Sequence, residues 1–95
     1  MIKLVFVLNV IDEVTYREYR KMIKPLMDNL GIKVLNEYRI ADVVHSDSVE
    51  DQVNLLAVFG FPSDDVKKQF FENKTYLKAK KLFNASTEHF TKIIE

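Results

Sequence analysis

No cysteine and no tryptophan occur in this 95-residue chain, and glycine and proline appear only twice each. The missing thiols exclude a disulfide, a cysteine nucleophile, a redox pair and a cysteine-ligated zinc site. With Gly31 and Gly60 as the only glycines, no glycine-rich loop is present to cradle a phosphate. A charge imbalance is missing too. The 14 basic residues match 14 acidic ones and are interspersed with them, which is not the electrostatic footprint of a nucleic-acid or membrane-surface binder. No apolar stretch approaches the ~20 residues needed to span a bilayer. The apolar opening, Ile2 to Leu8, is short, has no small-residue cleavage site after it and soon meets Asp12-Glu13, so it does not suit a signal peptide. These absences lead to the expectation of a cytoplasmic protein forming one domain over residues 1–95, with neither nucleic acid nor membrane as partner. A domain of this size buries only about 60–65% of its unfolded surface, so its stability alone is expected to be modest.

What is present alternates between two periods. Ile2 to Leu8 is β-branched and aromatic apart from Lys3 and reads as a strand buried on both faces, ended by Asn9. Asp12 or Thr15 can cap the helix that follows, and Thr15-x-x-Glu18 has capping-box spacing. Tyr16, Tyr19, Ile23, Leu26 or Met27, and Leu30 recur at helical spacing, Gly31 supplies a stop, and Pro25 predicts a kink. Val34 to Val44 mixes polar and apolar residues and reads as a long, partly exposed strand that overhangs its neighbours unless bulged. Ser46 to Asp51 forms a polar hairpin loop, and Val53 to Phe61 returns as a second nearly all-apolar strand. Pro62-Ser63-Asp64-Asp65 starts a helix carrying Val66, Phe70 and Phe71. Asn73-Lys74-Thr75 interrupts that helix, Tyr76, Ala79, Leu82 and Phe83 continue a second piece, and Glu88 to Glu95 alternates as a last strand.

The fold class is therefore α+β, in β-α-β-β-α-β order. The two most apolar strands, the first and third, belong at the centre of an antiparallel sheet of spatial order 4-1-3-2, with the helices on one face. Both faces of those strands are apolar: Val5 and Val7 oppose Leu4, Phe6 and Leu8, and Leu55 and Ala57 oppose Leu56 and Val58. Helices cover only one face, and a patch of several hundred Å² left in water is rare on a soluble monomer, so a homodimer is expected. The RNA-recognition version of this topology needs a basic, glycine-containing aromatic motif on the third strand, which Val53 to Phe61 lacks.

With these features the chain resembles the dimeric α/β-barrel (ferredoxin-like) superfamily. Within it the likeness is to a small bacterial branch known only as a domain of unknown function and related to antibiotic-biosynthesis-type monooxygenases. The likeness spans nearly the whole chain and rests on Tyr16-Arg17-Glu18-Tyr19, Pro25 with Gly31, Phe61-Pro62-Ser63, Phe70-Phe71, Tyr76 and Lys80-Lys81-Leu82. Two positions depart from the branch: Gly31-Ile32 stands where a glycine pair is usual, and Phe83 where an arginine is usual. The resemblance implies a pocket between sheet and helices. It also implies a choice among cofactor-free oxygenation of polyphenol-like substrates, haem degradation, lactone isomerisation and simple ligand binding. The haem-degrading branch combines a strand-one asparagine, which Asn9 can match, with a tryptophan and a histidine on the last helix. Neither of those two is present here, which disfavours that activity.

The residues offer few chemical groups. His45, near the end of the second strand, and His89, at the start of the fourth, are the candidates for proton transfer near neutral pH. Edge-strand ends are equally where solvated histidines sit. The two histidines have no ligand spacing, so no metal site is expected, and no cofactor is implied. Asn9 stands at a strand-to-helix junction and is either a ligand contact or a turn residue. Tyr16, Tyr19, Tyr38 and Tyr76 are packing residues whose hydroxyls can also orient a phenolic or carboxylate ligand. Arg39, on the opposite face from Tyr38, can hold an anion or pair with Glu37 or an acid of a second subunit. Two readings stand side by side. One is an oxygenase- or isomerase-like enzyme for a polar aromatic substrate, with a cavity on which polar groups converge. The other is a non-catalytic binding or assembly module.

Overall fold

The computed structural model describes residues 1–45 and 52–94, with side chains described outside 89–94. Its elements are β1 (Ile2–Val10), α1 (Glu13–Leu30), β2 (Lys33–Arg39), β3 (Leu55–Phe61), α2 (Asp64–Glu72), α3 (Lys74–Ser86) and β4 (Thr87–Ile94). The four strands form one antiparallel sheet of order β2-β3-β1-β4, with the two most apolar strands at its centre, as the apolar pattern predicts. The polar loop expected over 46–51 lies outside the described residues.

The helix ends follow local chemistry. Asp12 is the N-cap of α1: its carboxylate accepts from the Thr15 backbone N–H at 3.1 Å and from the Thr15 hydroxyl at 2.7 Å. Those bonds hold its pKa below the usual carboxylate value. The helix continues through Pro25, which lies on its exposed side. It ends where Gly31 adopts φ 73°, with the Gly31 N–H donating to the Asp28 carbonyl and the Ile32 N–H to that of Met27. This is a Schellman closure that needs the left-handed backbone glycine allows. Ser63 caps α2, and Asn73 both ends α2 and caps α3 by accepting from the Thr75 N–H.

Several strand boundaries differ from the sequence expectation, β2 starting at Lys33 and β4 at Thr87, each one residue early. β2 stops at Arg39, not Val44, because β3 begins at Leu55, not Val53, and among the described residues only the Ile40 N–H reaches further, to the Asn54 carbonyl at 2.8 Å. The register of β2 also slips by one residue at Leu35, so the strand is both shortened and bulged. β1 runs past Asn9 to Val10, because Val10 still has a partner on each side. Thr87 pairs with it in β4, and the Asn54 side-chain amide accepts from the Val10 N–H at 2.8 Å and donates to the Val10 carbonyl at 2.9 Å.

Alternation along the strands sorts the faces. Leu4, Phe6 and Leu8 of β1 and Leu55, Ala57, Phe59 and Phe61 of β3 turn toward the helices, where they pack on Tyr16, Tyr19, Ile23, Met27, Phe70 and Ala79. The other parity, Val5, Val7, Leu56 and Val58, makes the face without helices. On that face a Cβ built on Gly60 would come within 3.0 Å of the Leu35 and Met1 side chains, so glycine lets the bulged residue lie across β3.

Candidate functional site

Helical spacing assembles the helix-side surface. Tyr16, Tyr19, Arg20 and Ile23 fall three and four residues apart on α1, and Tyr76, Ala79, Lys80 and Phe83 do so on α3. Aromatic rings from both helices meet those of the sheet. Tyr19 lies 5.1 Å from Phe83 between ring centroids, Tyr76 4.8 Å from Phe70 and 5.1 Å from Phe71, and Phe6 4.9 Å from Phe59. Between these rings opens a cleft of about 360 Å³, lined by Phe6, Tyr19, Phe71, Tyr76, Leu77, Lys80, Phe83 and Asn84. Deeper in the core, a void of about 20 Å³ is bordered by Phe6, Tyr19 and Phe83 again, together with Leu8, Tyr16, Ala57 and Phe59. It is large enough for one water molecule.

The polar groups of the cleft are few. The hydroxyls of Tyr19 and Tyr76 have no hydrogen-bond partner among the described residues. No side-chain polar atom sealed from solvent lacks a partner there, so both oxygens reach open space, and the cleft is the space both residues border. Burial pushes the pKa of Tyr19 well above its ordinary value, reinforced by the neighbouring Tyr76 and Tyr16, and burial also raises that of Tyr76. Both phenols therefore stay protonated and can donate a hydrogen bond.

On the far side of Tyr16 lies a charged cleft of about 410 Å³ lined by Val10, Glu13, Tyr16, Arg17, Arg20, Glu37, Arg39 and Leu55. Arg20 donates to Glu37 at 2.5 Å and to the Tyr16 hydroxyl at 3.4 Å, with its guanidinium 5.6 Å from the Phe59 ring centre. Burial works to lower the pKa of Arg20, but the bonds to Glu37 and Tyr16 outweigh it and hold the guanidinium charged. Burial raises the Tyr16 pKa against the opposing pull of Arg20. Arg39 pairs with Glu13 of α1 at 2.7 Å, not with Glu37, because Glu37 and Arg39 both face the helix and the nearer cation takes Glu37. The two ion pairs stitch the edge strand β2 to α1.

Of the candidates named from sequence, Tyr19 and Tyr76 share one cleft, Tyr16 borders the void beside it, and Arg39 lines the charged cleft. Asn9 follows the parity of Val5 and Val7 on the face without helices. Tyr38 is also on that face, opposite Leu56, 58% exposed and bonded to the Asn36 amide at 3.1 Å. His45 is exposed beyond the end of β2. His89 belongs to β4, with its side chain outside the described residues. No group of three metal-ligating side chains occurs among the described residues. Sequence reasoning missed Arg20, whose only signal was its place four residues after Tyr16. It also missed Asn54, whose sequence position looks like one more strand residue.

Residues 4–95 match the family DUF1330, a domain of unknown function. Curated proteins give no match. Among solved structures, the RPA0582 protein of unknown function from Rhodopseudomonas palustris is 15% identical with a TM-score of 0.87, over 99% of this chain and 79% of that one. A dimeric protein of unknown function and ferredoxin-like fold from Bacteroides fragilis is 13% identical with a TM-score of 0.66, over 99% and 93%. An antibiotic biosynthesis monooxygenase is 13% identical with a TM-score of 0.64, over 100% and 96%. Identities this low speak for the fold alone. The chain belongs to the DUF1330 family and has the ferredoxin-like α+β fold.

Proposed function

We propose that the protein is a homodimer whose subunits each bind a polar aromatic small molecule in the cleft between α1, α3 and the sheet. The observation that carries this reading is the pair of protonated hydroxyls, Tyr19 and Tyr76, without a hydrogen-bond partner among the described residues and bordering a cleft walled mainly by aromatic rings. A cleft of about 360 Å³ is of the size that takes a one- or two-ring ligand. Flat rings stack on flat rings, and two donors fixed in space orient an oxygen-bearing edge. The dimer is supported by Val5, Val7, Leu56 and Val58 on the face without helices, and by two neighbours of the same fold described as dimeric, from Bacteroides fragilis and Thermobifida fusca.

Binding is favoured over proton-transfer catalysis because, among the described residues, neither histidine nor carboxylate lines the cleft. An oxygenase of the kind the antibiotic biosynthesis monooxygenase neighbours suggest would have to draw on the reactivity of the substrate itself. Native mass spectrometry of protein as purified, followed by calorimetric titration with 1-naphthol, tests the reading. A dimer that binds naphthol, with affinity falling about two- to tenfold on each of Tyr19→Phe and Tyr76→Phe, supports it. Absence of binding, or binding indifferent to both hydroxyls, refutes it. Oxygen uptake with a naphthalenediol would establish the oxygenase.

A further inference from the structure

Among the described residues, the cleft is lined by one ionic group and no acid. Lys80 of α3 lines it, while every other lining residue is aromatic, aliphatic or a neutral amide. Lys80 makes no ion pair among the described residues. Several other helix cations, Lys78 and Lys81 of α3 among them, also make no ion pair among the described residues, and what sets Lys80 apart is its place in the wall of the cleft. The remaining polar groups lining the cleft can donate as well as accept: two tyrosine hydroxyls and the amide of Asn84. A site whose charge is positive and whose neutral polar groups can each donate, set beside stacked rings, favours an anionic aromatic ligand over a cationic one.

We propose that the ligand is an aromatic carboxylate or similar ring-bearing monoanion, its rings between Tyr19, Tyr76, Phe6 and Phe83 and its anion held by Lys80 with the tyrosine hydroxyls. This rests on the reading of the cleft as the ligand site and adds the charge of the ligand and the residue that selects it. Lys80 is a specificity-determining residue, placed one α3 turn after Tyr76 so that ammonium and phenol meet the same edge of the ligand.

The test compares 1-hydroxy-2-naphthoate with neutral 1-naphthol by calorimetry on the dimer, for the native protein and for Lys80→Gln, Lys80→Glu and Lys80→Arg. Lys80 is exposed, so the variants keep the fold, and thermal melting checks this. The naphthoate binds about threefold to tenfold tighter than naphthol in the native protein. Lys80→Gln abolishes that preference, Lys80→Glu reverses it and Lys80→Arg retains it, each read as the ratio of the two affinities in the same variant. Added salt weakens only the naphthoate. Equal binding of the two probes, or a preference untouched by Lys80→Gln, overturns the charge assignment and leaves the cleft as a neutral-ligand site. If neither probe binds, both the assignment and the cleft reading fall.

Discussion

Asn54 carries the most localised structural debt in the molecule, and replacing it with alanine has a calculable effect. Its side-chain amide accepts from the Val10 N–H at 2.8 Å and donates to the Val10 carbonyl at 2.9 Å, imitating a backbone bridge where β3 has not yet begun. Asn54→Ala removes both bonds and leaves two main-chain groups unpaired at a residue only 7% exposed. Each lost bond costs about 1–1.5 kcal/mol where some water can enter, so the expected loss is about 2–3 kcal/mol. In a chain of this size that lowers Tm by roughly 10–20 °C. Asn54→Asp keeps the acceptor and loses the donor, and should fall about midway. Urea unfolding followed by circular dichroism measures the change, at one protein concentration because dimerisation adds stability by mass action. A loss below ~1 kcal/mol for Asn54→Ala would show that water replaces the amide freely and that the bridge is not what extends β1 to Val10.

Leu56→Asp or Val58→Asp places a charge on the face without helices; with two copies per symmetric interface, each worth ~1.5 kcal/mol or more, dimer dissociation rises at least ~100-fold, and sedimentation of a folded dimer unchanged by either variant refutes that face as the interface. Burial raises the pKa of Tyr16, Tyr19 and Tyr76 in the folded chain, so the unfolded chain loses these protons first as pH rises. Their contribution is fully present below the ordinary tyrosine value of ~10 and is lost above it, and an absorbance titration of native protein that coincides with that of denatured protein would contradict this. Gly31→Ala forces a side chain into φ 73°; its Cβ meets Pro62 at an ordinary 3.4 Å, so the penalty is backbone strain of about 1 kcal/mol, seen as a drop of about 4–8 °C in Tm. An unchanged Tm would mean the helix end relaxes around alanine.

Some features were determined by the sequence alone, because they depend on neighbours a few residues apart. The period of Tyr16, Tyr19 and Ile23 sets the inner face of α1. The hydroxyl of Ser63 and the acids after it start α2, and the nearly continuous apolarity of Ile2 to Leu8 and Val53 to Phe61 places those strands at the sheet centre. Even the two-faced character of the sheet, from which a dimer is argued, is a matter of alternation. Other features needed distant segments to meet. Asn54 reaches across 44 residues to Val10, and nothing local marks it as a bridge. Arg20 and Arg17 are alike on the chain, yet only Arg20 lands opposite Glu37. Asn9 and Tyr38, plausible pocket residues by type, are carried by strand parity to the face away from the helices, whereas Tyr19 and Tyr76, 57 residues apart, come to border one cleft. A side chain's chemistry is a property of its residue type, but the groups it faces are set by sheet register and helix packing. Those are global consequences of burying the core, so the scaffold was legible from the chain and the site was not.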